Sequence, residues 1–205
     1  MIDMNRIIFL THPEVAIDPS IPVPDWGLSE RGIERIHLFA DRTRGIAWSR
    51  IFCSRERKAA EAAAIVAADR DREPCAIGTL GENDRSSTGY LEKTAFEAHA
   101  DRFFAYPQES IEGWERAIDA QRRIVAAVER IDREAPFPGH LLILAHGGVG
   151  ALLLAHLLGA PISRQYDQPG TGGGCFLTIH RHPLRLRKAW QPMEVLRGNG
   201  MSHAS

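Results

Sequence analysis

Apolar residues in this chain gather in short, nearly unbroken runs separated by stretches of helical period. Ile7-Ile8-Phe9-Leu10, Ile51-Phe52-Cys53 and Leu141-Leu142-Ile143-Leu144-Ala145 are such runs, and their alternation with helical patterns predicts buried parallel strands. Behind Ser29, a natural N-cap, Ile33, Ile36, His37 and Ala40 recur at helical spacing. Glu56 to Ala68 is alanine-rich and helical, and Val149–Leu158 is apolar nearly all round, which predicts a buried helix. Ala95–Ala105 and Ile111 to about Arg133 predict two more helices, the second turning Trp114, Ile118, Ile124, Val128 and Ile131 to a core. A short strand is expected at Cys75–Ile77. Leu184–Gln191 is expected to return as the hairpin partner of Cys175–His180, after a turn at Gly172-Gly173-Gly174. Ser54 is expected to cap the alanine-rich helix, the proline-broken loop from Pro13 to Pro24 to drape over the sheet edge, and Gly198–Ser205 to fray.

Strand alternating with helix predicts a three-layer α/β/α fold with a mostly parallel central sheet. A single domain is expected across residues 1–205, with the helical patterns near 90–134 forming a small inserted lobe that overhangs the sheet.

Composition narrows the function classes. A chain of 205 residues with net charge −1 and 7% aromatic residues carries no general nucleic-acid footprint. Its apolar runs are far short of a membrane span, and Met1–Arg6 lacks the regions of a secretory signal. Cys53, Cys75 and Cys175 are scattered without CxxC spacing, which suits small buried residues in a reducing cytoplasm. His180 and His182 alternate on an expected strand, but no third metal ligand stands near them in sequence; no metal site is expected. The oligomeric state is not legible.

The candidate chemistry lies where the strands end. His12 follows the first apolar run, Ser54 the second and His146 the third, and ligands of open α/β sheets bind in the crevice outside such strand ends. Gly147 and Gly148 open the helix after His146; Arg55, Arg57 and Lys58 crowd the first turn of the helix after Ser54. Helix N-termini with basic side chains are anion sites, and with two histidines they suit a phosphoryl group.

Four segments carry a resemblance. Leu10-Thr11-His12-Pro13-Glu14 resembles the Arg-His-Gly-Glu opening of the histidine phosphatase superfamily, also called the phosphoglycerate mutase-like family. Gly27-Leu28-Ser29-Glu30-Arg31-Gly32 is similar to its Pro-Leu-Ser-Glu-Arg-Gly segment. Cys53-Ser54-Arg55-Glu56-Arg57-Lys58-Ala59 falls on Ser-Ser-Pro-Leu-x-Arg-Ala, and Ala145-His146-Gly147-Gly148-Val149 on the second His-Gly motif. The resemblance implies His12 as a nucleophile that forms a phosphohistidine, His146 as a donor to a phosphoryl oxygen, and Glu82 as the acid for the leaving oxygen. Asp84 and Glu14 are the other acids considered for that last role. No metal or organic cofactor is required.

This chain departs from the family pattern at the phosphate clamp. Thr11 and Lys58 replace arginines, and Pro13 replaces a glycine and its amide. Thr11 and Lys58 themselves, with Arg57, Arg85 and the Gly147 amide, are the expected phosphate ligands, and Arg55 is a further candidate to compensate. The expected activity is hydrolysis of a small phosphomonoester, with phosphate ion or such a substrate as partner and neither nucleic acid nor membrane. Two other readings follow from the same residues: a weakly active or inactive phosphate-pocket protein with a binding or regulatory role, and a protein-phosphohistidine phosphatase.

Overall fold

β1 (Arg6–Thr11) lies near the middle of a six-stranded sheet, and all six of its residues are buried. β2 (Trp48–Cys53), β3 (Cys75–Ala76) and β4 (His140–Ala145) run parallel to it. β5 (Cys175–His180) and β6 (Arg185–Pro192) add an antiparallel hairpin, giving the order β3-β2-β4-β1-β5-β6. The structure, a computed structural model, describes residues 5–170 and 172–197. The fold is the α/β architecture expected, and the fraying expected for Gly198–Ser205 lies outside the described residues.

Side-chain alternation sorts the two faces of the sheet. Ile8, Leu10, Ile51, Cys53, Leu142 and Leu144 pack beneath α1 (Glu30–Arg42) and α2 (Arg57–Ala67). Ile7, Phe9, Phe52, Leu141 and Ile143 pack against α4 (Ala117–Glu134) and α5 (Gly147–Leu157). Burial on both faces explains why these strands read as continuous apolar runs.

Several expectations need adjusting. The helix expected from Ile111 begins at Ala117, because Glu112 (φ 51°) and Gly113 (φ 87°) adopt left-handed backbone that a helix does not accommodate. The helical insertion expected near 90–134 divides: α3 (Lys93–Ala105), Ile111, Trp114 and the start of α4 form a small cluster with α5. Ile124, Val128 and Ile131, farther along α4, pack on the sheet. Ser29 caps α1, its Oγ accepting from the Gly32 amide at 3.0 Å, but Ser54 does not cap α2. That helix starts later, with Glu56 at the cap position, and Ser54 accepts from the Glu56 amide at 3.1 Å. The proline-broken loop folds over the start of α2 instead of an edge strand, and Lys58 donates to the Val23 carbonyl at 2.8 Å. Cys53 and Cys175 are buried, whereas Cys75 is exposed on the edge strand.

One buried ion pair ties α4 to the end of the central strands. The Arg181 guanidinium donates to Asp132 Oδ1 at 2.6 Å and to the carbonyls of Asp132, Ala135, Pro136 and Gly139, with its side chain fully out of solvent.

Candidate active site

β1 and β4 are hydrogen-bonded neighbours in register, Leu10 opposite Leu144 and Thr11 opposite Ala145. The next residues are His12 and His146, so the sheet itself sets the two histidines side by side. The His12 amide donates to the Ala145 carbonyl at 3.0 Å, and the ring centroids are 5.2 Å apart. On the other side of His12, Gly174 donates to its carbonyl at 3.0 Å. Gly173 (φ 60°) passes so close that a Cβ there would lie 2.1 Å from that carbonyl oxygen. The glycine run, expected only as a turn, therefore buttresses His12.

The His12 ring is oriented by its own loop. Nδ1 lies 2.8 Å from the Pro13 carbonyl, an acceptor only, so Nδ1 carries the proton and Nε2 keeps its lone pair. Burial above all, with the charges of Lys58 and Arg85, lowers its pKa to about 4. His146 is fully buried, and burial also pushes it well below the usual imidazole range. Among the described residues neither of its ring nitrogens has an aligned hydrogen-bond partner; Glu56 Oε1 lies 3.3 Å from Nε2.

Glu82 sits on the N-terminus of α5. Its Oε2 accepts from the Gly148 amide at 3.0 Å; its Oε1 accepts from Val149 at 2.9 Å and from Asn83 at 3.1 Å. Burial raises its pKa and nearby Glu56 adds to the rise, while Arg85 and the two α5 amides oppose it. Both lone pairs of Oε1 are engaged, so a proton on this carboxyl belongs on Oε2. His12, Glu82, Arg85, Gly147 and Gly148 share the wall of one cavity of about 850 Å³.

The other sequence-derived ligands are each engaged with partners of their own. Arg57 is exposed and pairs with Glu61 at 2.7 Å on the outside of α2. Thr11 is fully buried; its hydroxyl accepts from the Cys175 amide at 3.0 Å and donates to Gln168 Oε1 at 2.7 Å. Lys58 is buried too, with Glu56 Oε2 2.6 Å from Nζ. Arg55 is exposed and lies along Gly78. Asp84 is exposed and bound to its own turn at Ser86, and Glu14 accepts from Ser29 Oγ. Among the described residues no group of His, Cys, Asp or Glu is arranged to hold a metal ion.

Two residues of the site escape a reading of the sequence. Burial disfavours the Glu56 carboxylate, yet His146, Lys58 and the Glu82 amide hold its pKa at about 2. Its only signal is an acid set among three basic residues. Gln168, far along the chain, carries no signal.

A family model described as histidine phosphatase superfamily (branch 1) matches residues 12–187. The chain belongs to this superfamily. Among solved structures, YhfR of Bacillus stearothermophilus superposes with a TM-score of 0.75 at 21% identity, covering 94% of this chain and 98% of that one. A mycobacterial glucosyl-3-phosphoglycerate phosphatase in complex with inorganic phosphate gives 0.75 at 21% identity, over 94% and 100%. The alpha-ribazole phosphatase of Shigella flexneri gives 0.66 at 18% identity, over 91% and 96%. At these identities the likeness is one of fold. No curated protein matches the sequence. Lys58 is neutralised by Glu56 and Thr11 is turned away from the crevice, so neither residue supplies an uncompensated charge there.

Proposed function

We propose that this histidine phosphatase superfamily member hydrolyses a small phosphomonoester through a phosphohistidine on His12. The observation that carries the reading is the pairing of a half-buried and a buried imidazole at adjoining strand ends, the first with its Nε2 lone pair free and sharing a cavity wall with a raised-pKa carboxyl. Nε2 attacks phosphorus, Glu82 Oε2 protonates the leaving oxygen, and the resulting carboxylate then takes a proton from the water that discharges the phosphohistidine. His146, whose ring nitrogens make no aligned hydrogen bond among the described residues, donates to a phosphoryl oxygen as negative charge spreads over the equatorial oxygens. Glu56, ionised beside it, favours the imidazolium once a phosphoryl dianion enters. Arg85, on the cavity wall, supplies the remaining positive charge.

Glu82 and Arg85 also border a second cavity of about 480 Å³ walled by Pro22, Val23 and Pro24. Hydrolysis of an aryl phosphate by wild type, abolished in His12→Ala, is the expected result.

One observation favours a second reading. The neutralised Lys58 and the inward Thr11 leave a weaker phosphate clamp than the motif provides, as a binding or regulatory protein would tolerate. Phosphate binding with no turnover over a broad panel of esters would establish it. Cleavage of a phosphorylated protein with no action on small esters would instead assign a protein-phosphohistidine phosphatase.

A further inference from the structure

The arginine that the superfamily places before its nucleophile is Thr11 here, and its hydroxyl is turned into the protein, toward Gln168. The Cys175 amide donates to Thr11 Oγ1 at 3.0 Å, which fills an acceptor site and leaves the hydroxyl proton for Gln168 Oε1 at 2.7 Å; the Cys175 carbonyl is farther, at 3.2 Å. With Oε1 fixed in this way, the carboxamide presents its Nε2 on the opposite side. Nε2 lies over Gly147, so close that a Cβ built there would be 2.4 Å from it. Gly147 directly follows His146, and Gln168 shares the cavity wall with His12, Glu82 and Gly147.

The segment bearing Gln168 is held on several sides. Arg164 pairs with Glu97 and Asp101 of α3 and donates to the Glu97 carbonyl at 3.1 Å. Trp190 Nε1 donates to the Tyr166 carbonyl at 2.7 Å, and the Cys175 thiol reaches the Pro169 carbonyl at 3.6 Å. An amide donor fixed at both its backbone and its oxygen needs no reorganisation to meet developing charge, the condition under which such donors act most strongly.

We propose that Gln168 is a phosphoryl-oxygen ligand of this enzyme, its Nε2 aimed by Thr11 into the histidine crevice in place of the missing guanidinium. The inference rests on the phosphatase reading of the same site. The ligand class is a phosphoryl group or inorganic phosphate. Thr11 is a positioning residue, since it touches Gln168 and not the reacting group. A neutral donor there replaces a cation, so the clamp grips the transferring group through direction more than through charge.

The test compares Gln168→Ala, Gln168→Glu, Gly147→Ala and His12→Ala with wild type, by kcat/KM on an aryl phosphate and by inhibition with inorganic phosphate. Removing one fixed oxyanion donor predicts a loss of about 10²–10³-fold in rate for Gln168→Ala, with weakened phosphate inhibition. Gln168→Glu is expected to fall lower still, because a carboxylate faces the phosphoryl oxygens; a merely packing role would tolerate this near-isostere better than alanine. Gly147→Ala is expected to lose rate with its melting temperature preserved, as the new methyl displaces Nε2 from the pocket. Wild-type rate and phosphate inhibition in both Gln168 variants would overturn the inference while leaving the phosphatase reading intact. A wild type with no more turnover than His12→Ala would overturn the phosphatase reading and this inference with it.

Discussion

Replacing Glu82 by glutamine separates acid catalysis from mere anchoring of α5. The substitution keeps shape and removes the proton. In the wild type, Oε1 accepts two amides and Oε2 accepts one, from Gly148 at 3.0 Å. The best orientation of Glu82→Gln keeps the Val149 and Asn83 bonds and turns its NH₂ toward the Gly148 amide, donor against donor. One buried hydrogen bond is lost, a destabilisation of about 1–3 kcal/mol. For a chain of 205 residues each kcal/mol lowers the melting temperature by about 2–4 °C. The catalytic loss is separate and depends on the leaving group. An alkyl phosphate, whose alkoxide leaves poorly without a proton, is expected to lose about 10²–10⁴-fold in kcat/KM, or about 3–5 kcal/mol. A nitrophenyl phosphate, which leaves well unprotonated, is expected to lose far less. The pH profile carries the same signature. Activity needs neutral His12, so kcat/KM rises with pH through about 4. It needs protonated Glu82, so it falls again as pH passes that carboxyl's raised pKa, above the ordinary carboxylate range. Glu82→Gln should abolish the upper limb and keep the lower one. Equal losses for alkyl and aryl esters, or an upper limb that survives the substitution, would refute the role derived for this residue.

Three further outcomes are expected. Lys58→Met leaves Glu56 ionised and uncompensated beside His146, so phosphate inhibition should weaken and the Glu56 carboxyl titrate higher, which carbon-detected NMR titration of the carboxylates checks. His12, at about 4 in the fold against 6.5 in an unfolded chain, contributes stability that is complete above the unfolded value and lost as pH falls from there toward 4. That loss is at most about 3 kcal/mol, so urea midpoints of His12→Gln should fall less across this window than those of wild type. Arg181→Met strips Asp132 of its buried partner and four carbonyls of a donor, and is expected to destabilise by about 3–5 kcal/mol in urea unfolding without moving the histidines.

What the sequence made legible was whatever depends on local pattern. Runs such as Ile7 to Leu10 and Leu141 to Ala145 are apolar because both their faces are buried, and parallel neighbours with matching ends place His12 beside His146. Glu82 could be read as a loop acid, but not that its two oxygens cap α5, since that depends on where the loop returns. Side-chain direction is what the local pattern left out. Arg57 and Lys58 are adjacent in the first turn of a helix, yet one faces Glu61 in solvent and the other is buried under Val23. A charge in a motif position reveals nothing about its partner, and Glu56 cancels Lys58 from two residues away. Gln168 was invisible for another reason: its contact with Thr11 spans 157 positions and joins two neutral residues without any motif.

On the proposed mechanism phosphorus passes through His12. Radiolabelled aryl phosphate mixed with excess enzyme and quenched in denaturant gives the direct measurement, with the trapped label mapped to a residue by peptide mass spectrometry. The expected result is an acid-labile, base-stable phosphoryl group on His12, formed before product release and absent from His12→Ala. Ester hydrolysis at an undiminished rate in His12→Ala, or a label mapped to any other residue, would contradict it.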